Sequence, residues 1–306
     1  MATISSDAAS LISQFESKWQ PLVQLLVSQI ARTTAGASKS HGTEHVLRVC
    51  LAAVRGVSAD SRMAVATPLG RNLTIYLTIL TTMLHDVDDR KYLVQGVGSN
   101  VTRILAEIQS ECGKYIDPSI CDLPTSLNPI ETLRDNISCF GTSGKGANAF
   151  TDPNVPWWVR IAIAADRLES VGYQGVMRTI AYSEETQRSH HETFFSDKDI
   201  PRFTDIADLR QKSKAAFAQY SSGVEVIYNG STIGHIFTKI YPMGLDLSEQ
   251  IRGTSEYMAN YIAEAADTQK MEQLLQRYDQ CRTSGALGAP GAQFDIQAEI
   301  AAIWKK

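Results

Sequence analysis

Apolar residues recur at intervals of three and four through most of this chain, and that spacing restricts it to packed helices. Leu11, Ile12, Phe15, Trp19, Leu22, Leu25, Leu26 and Ile30 make the first buried stripe, on a helix interrupted or bent at Pro21. Residues 41–57 are compatible with a second helix, and the apolar run 69–84 is long enough for a core helix. A further helix is expected over 101–111. Pro156 suits the first turn of one continuing over 157–169. Asp205 can cap a helix over 206–220, and two more fit 231–241 and 247–265. The glycine-rich stretch 282–292 then precedes a short final helix, and strand candidates are few, chiefly Val224 to Tyr228. The expected fold class is all-α.

With 306 residues the chain can bury a large core. Its 29 Lys and Arg against 33 Asp and Glu leave a net charge of −4 with no dense basic run. That balance argues against coating a nucleic-acid polymer or an anionic membrane, but not against a small phosphorylated ligand. The five cysteines form no CxxC pair and read as reduced thiols of a cytoplasmic protein. The first residues lack a secretory layout, so the glycosylation triplets at Asn72, Asn100, Asn136 and Asn229 carry no weight. No apolar run reaches the roughly 18 residues of a membrane span. The loop-like stretch 141–155 carries Lys145 but lacks the GxxxxGK[ST] phosphate-loop pattern, and 183–204 reads as a polar excursion.

Against this apolar background a few polar residues stand in costly places. Of the six histidines, His41 and His45 are four apart in SHGTEHVLRV and share a face if helical. His85 and Asp86 end the apolar run 69–84, and Asp166 interrupts the apolar segment WWVRIAIAADRLES. A carboxylate buried there needs a partner or a cation. Imidazoles and carboxylates converging from three apolar helices are what a divalent-metal site requires.

The ordered set H…HD…D resembles the HD superfamily of metal-dependent phosphohydrolases. The resemblance is closest to small bacterial-type members with an SHxxxHxxRV start and a later DRLxxxGxxGxxRT segment. Here those read SHGTEHVLRV at 40–49 and DRLESVGYQGVMRT at 166–179, and HIFTK at 235–239 is like a third motif, HFYEK. The resemblance implies an HD-type helical bundle with additional C-terminal helices. It places one domain over 1–280, with its core at about 38–182 and further helices at about 205–280, before a tail at 281–306.

It also implies the roles. His45, His85, Asp86 and Asp166 would be ligands of one divalent ion, with Mn, Co, Ni, Mg, Zn and Fe not distinguished. Asp86 and Asp89 would be catalytic, Asp89 positioning water from one turn beyond Asp86; the alternative is a solvated acid paired with Arg90 or Lys91. His41, Arg48, Lys91, Arg178, His235 and Lys239 would contact substrate phosphate, each with a solvated or structural role as the alternative. Asp88 reads as a structural or surface acid, Arg167 as either paired to a carboxylate or not, and His190–His191 as an exposed loop pair. Trp157 and Trp158 are expected in the core.

Family members with two metals, including oxygenases, carry extra histidines between the HD pair and the last Asp. None stands between His85 and His190, which favours one metal and hydrolysis. The HDxGYP motif of cyclic-dinucleotide hydrolases is absent, and Arg90 breaks the HDxxED motif of alarmone hydrolases. The expected activity is cleavage of a phosphomonoester or pyrophosphate in a small phosphorylated substrate, a nucleotide foremost. The alternatives are a catalytically silent nucleotide-binding module and, less favoured, an oxygenase.

Overall fold

The structure, a computed structural model, describes residues 5–33, 43–88, 99–111, 152–185, 191–193, 200–222, 232–283 and 293–305. The fold is all-α: among the described residues the extended elements are two three-residue strands. Backbone packing divides the chain into two compact units, Met1–Glu169 with Gly253–Met258, and Ser170–Arg252 with Ala259–Lys306. Among the described residues no helix is long and apolar enough to cross a membrane.

In the first unit α1 (Ser6–Ile12) is capped by Ser5, whose hydroxyl accepts from the Ala8 amide, and α2 spans Gln20–Thr33. The stripe from Leu11 to Ile30 is therefore interrupted rather than bent, though not at Pro21. The break lies over 13–19, and Pro21 sits in the first turn of α2, where its missing N–H breaks no helical bond. Phe15 and Trp19 keep the stripe going because they are buried from the connecting turn. Next come α3 (Thr43–Ser58), α4 (Ser61–Val65), α5 (Pro68–Met83), α6 (Asn100–Glu111) and α7 (Trp157–Leu168). Pro156 is the residue before α7 rather than part of its first turn.

Helix α3 packs against both α5 and α7, which also touch each other. Gly56 permits the approach: a Cβ there would stand 2.8 Å from the Ile161 side chain. Buried Thr78, Thr81 and Thr82 make α5 resemble a strand in composition. Their hydroxyls donate to the carbonyls of Thr74, Leu77 and Thr78 at 2.7, 2.7 and 2.6 Å, so no buried hydroxyl there is left unsatisfied. At the far end of the unit Arg62 lies over the Trp157 ring at 4.2 Å, makes two 2.7 Å hydrogen bonds to Asp60, and donates to the Thr254 carbonyl. Trp158 is buried in the core as expected, whereas Trp157 is half-buried.

The second unit holds α8 (Gly172–Glu185), α9 (Ile206–Ser221), α10 (Thr232–His235), α11 (Tyr241–Arg252), α12 (Glu256–Ala266), α13 (Thr268–Thr283) and α14 (Ile296–Ile303). Asp205 caps α9 by accepting from the Asp208 amide, as its position predicts. A π-helical segment, Ile236–Ile240, joins α10 to α11, so helical turns run through the gap expected at 242–246. The π turn and Pro242 both interrupt the ordinary ladder of backbone bonds, and here they do so at one place. The chain breaks instead at 253–255, before α12.

The polar excursion at 183–204 also differs from expectation. Residues 183–185 finish α8, and β1 (His191–Thr193) pairs antiparallel with β2 (Gln293–Asp295). The strand candidate Val224–Tyr228 and most of the 141–155 stretch lie outside the described residues. Gly172 opens α8 at φ +53° with the Ala265 carbonyl so close that a Cβ would meet it at 2.1 Å. The glycine of DRLESVG is thus required by the backbone.

Candidate metal centre

Three elements of the first unit bring the site together. His45 lies in the first turn of α3, Asp166 in the last turn of α7, and His85 and Asp86 in the turn that follows α5. That turn is fastened from behind. Asp88 accepts from the Ser99 hydroxyl at 2.6 Å and the Asn100 amide at 2.7 Å, and the Asn100 side chain donates to the Val87 carbonyl at 2.8 Å. Of the two roles expected for Asp88, structural or surface acid, these bonds support the structural one.

His45, His85 and Asp166 each present one ligand atom, all within 4.8 Å of one another. Asp166 Oδ1 is 3.4 Å from Nε2 of both His45 and His85. Asp86 Oδ2 lies 3.4 Å from His85 Nε2 and 3.8 Å from His45 Nε2. The imidazole rings meet edge to face with centroids 5.5 Å apart. The histidine side chains are 1–2% exposed, whereas Asp86 and Asp166 keep 18% and 19%, so the cluster opens on its carboxylate side.

The ring of His85 has a defined orientation. Its Nδ1 is 2.6 Å from the Thr82 carbonyl, which can only accept, so Nδ1 carries a proton. Its Nε2 is buried and makes no hydrogen bond among the described residues. A buried nitrogen left without a bond, facing two carboxylates, fits a cation ligand. The field is strongly negative. Burial alone would lower the His85 pKa, but Asp86, Asp166 and the Thr82 carbonyl outweigh it and raise it to about 9. Burial would likewise push the Asp166 carboxyl up, yet the two imidazoles hold it well below the usual range. The same field that holds a proton here would hold a metal ion, and the His45–His85–Asp166 group has the donors to bind one.

Two neighbours of the cluster were not singled out by sequence. Glu169, one turn beyond Asp166, is buried with Oε2 3.8 Å from His45 Nδ1 and 2.8 Å from Arg48 Nε. The Thr82 carbonyl orients His85. Only Glu169 left a trace, as the acid of DRLES three residues after a candidate ligand. Arg48, expected at phosphate, is engaged with Glu169. Arg167 is 5% exposed, and burial lowers its pKa to about 10 against the pull of Asp166.

Arg178, His235 and Lys239 belong to the second unit and are half-buried there. Lys239 is the half-buried residue of the π segment and lies 5.7 Å from the Tyr220 ring centroid. His41, Asp89 and Lys91 lie outside the described residues, as do His190 and the side chain of His191.

No family model matches this chain. It is 26% identical over 163 residues to an uncharacterized protein of Acanthamoeba polyphaga mimivirus, a match covering 53% of this chain and 61% of that protein. The chain thus spans about three-fifths of that relative's length. Among solved structures it is similar to a structural-genomics protein from Lactobacillus plantarum, with a TM-score of 0.48 and 18% identity. That match covers 86% of this chain and 97% of the other.

Proposed function

We propose that this chain is a metal-dependent phosphohydrolase that cleaves a phosphomonoester or pyrophosphate bond in a small phosphorylated molecule, a nucleotide foremost. The observation carrying this reading is the buried His85 Nε2, oriented by Thr82 toward Asp86 and Asp166 and left without a hydrogen bond among the described residues. The order of those ligands along the chain, which resembles H…HD…D, supplies the reaction class.

In this reading His45, His85, Asp86 and Asp166 hold one divalent ion. Such an ion makes water acidic enough to attack near neutral pH and polarises a phosphoryl oxygen. The protein's share is placement. His45 and His85 form the buried floor, and the partly exposed Asp86 and Asp166 set the side from which substrate enters. Asp89 is the residue proposed to hold the attacking water and take its proton. His41 and Lys91 remain the proposed phosphate contacts.

The test is turnover. Metal-stripped protein reloaded separately with Mn²⁺, Co²⁺, Ni²⁺ or Mg²⁺ should release phosphate or pyrophosphate from a member of a nucleotide and phosphate-ester panel. Asp86→Ala should abolish that release. Tight metal binding with no turnover on any substrate would overturn the enzyme reading and leave a silent binding module, whereas two irons per chain by elemental analysis would point to an oxygenase.

A further inference from the structure

We propose that Glu169, held by Arg48, is a positioning residue that sets which nitrogen of His45 faces the metal. This inference rests on the metal-centre reading above. Of the two nitrogens of His45, Nε2 points at Asp166 and Asp86 at 3.4 and 3.8 Å, while Nδ1 has the Glu169 carboxylate at 3.8 Å. An imidazole that gives its Nε2 lone pair to a cation must carry its proton on Nδ1. A carboxylate on that side favours this tautomer and makes the ring a better donor.

At 3.8 Å the effect is electrostatic rather than a hydrogen bond, so the position of the charge matters. Arg48 provides it. Its Nε donates to Glu169 Oε2 at 2.8 Å, the same oxygen that faces His45. Local sequence explains how the three meet. His45 and Arg48 are three apart on α3 and share a face, and Glu169 follows directly on α7, which packs against α3. His85 reaches the same result by another route, using the Thr82 carbonyl behind its Nδ1. Each imidazole therefore has an oxygen behind Nδ1 and the carboxylates of the site before Nε2. Arg48 acts in this arrangement through Glu169 and not as a phosphate ligand.

Titration calorimetry with Mn²⁺ alone tests the inference, with thermal melts of the metal-free proteins as the folding control. Glu169→Gln keeps the shape and removes the charge, and it should weaken Mn²⁺ binding by about 10-fold or more while the metal-free melting temperature changes little. Arg48→Met should weaken it in the same direction by about 3-fold or more, and should add little once Glu169→Gln is present. A role for Arg48 at substrate would leave its Mn²⁺ affinity unchanged. Binding to Glu169→Gln within twofold of the unsubstituted protein, or additive losses in the double variant, overturns the inference while the metal centre stands. Absence of Mn²⁺ binding by the unsubstituted protein, with none for Co²⁺ or Ni²⁺ either, overturns the metal centre and the inference together.

Discussion

The carbonyl oxygen of Thr82 accepts a hydrogen bond from Nδ1 of His85 at 2.6 Å, and that contact fixes the ring so that Nε2 faces Asp86 and Asp166. A backbone acceptor one turn earlier in the chain thus sets the ring in the orientation that a metal ligand would need. The pocket is pre-organised by α5 itself.

Metal should therefore stabilise the fold measurably. At 100 times its dissociation constant a divalent ion is expected to add about 2.7 kcal/mol to the unfolding free energy. His85→Gln and Asp166→Asn should each remove most of that gain. Denaturation of metal-free and metal-loaded protein, variant by variant, measures it; an equal metal-dependent gain in both variants would show that these side chains are not ligands.

Asp60 gives a pH dependence far from the metal. It caps α4 through the Arg62 amide and takes two hydrogen bonds from the Arg62 side chain. Burial would raise its pKa, but those bonds hold it below the ordinary 3.8. A carboxyl lowered in the folded state stabilises above its unfolded value and ceases to do so as pH falls through the folded one. Asp60→Ala should cost about 0.5–2 kcal/mol at pH 7. The gap to the unsubstituted protein should narrow as the medium is taken well below pH 3.8, read by urea denaturation at each pH.

Gly172 tests the backbone demand of the second unit. With φ at +53° and the Ala265 carbonyl in the way, Gly172→Ala must strain the turn and shift α8. A loss of at least about 1–3 kcal/mol is expected, larger than for a glycine in an open turn. Gly253, with nothing within 4 Å of a built Cβ, is the control, and Gly253→Ala should be nearly neutral in the same melting experiment.

Cys50 should be chemically silent in the native protein. Burial raises its thiol to about 12, partly offset by a hydrogen bond with Thr82. Alkylation requires the thiolate, which forms here only as pH approaches that value. Iodoacetamide at pH 8 should leave the Cys50 peptide unmodified in native conditions and label it fully in urea, as read by mass spectrometry. Native labelling at the rate of a free thiol would mean that α3 opens readily.

The candidate ligands were legible because each is a polar residue in a place where apolar residues cost less. His45 and Asp166 interrupt the apolar stripes of α3 and α7, His85 follows directly on α5, and a common site gives all three a partner. Their surroundings were less legible for physical reasons. The Thr82 carbonyl is a backbone atom and has no letter in the sequence. Glu169 looks like any acid at a helix end until α7 is packed on α3. Phe15 and Trp19 continued a helical stripe from within a turn, because burial follows position in space and not helical phase. The strands β1 and β2 are three residues each and pair across about 100 positions of sequence, so neither carries a periodic signal.

The fastening of Asp88 to Ser99 and Asn100 has a wider consequence. Those bonds tie the turn that carries His85 and Asp86 to the start of α6. The pair therefore takes its position from two helices at once, α5 before it in the chain and α6 after it. A change in α6 that displaces Ser99 or Asn100 reaches the candidate metal centre through Asp88, so the site depends on the stability of α6 as well as on that of α5.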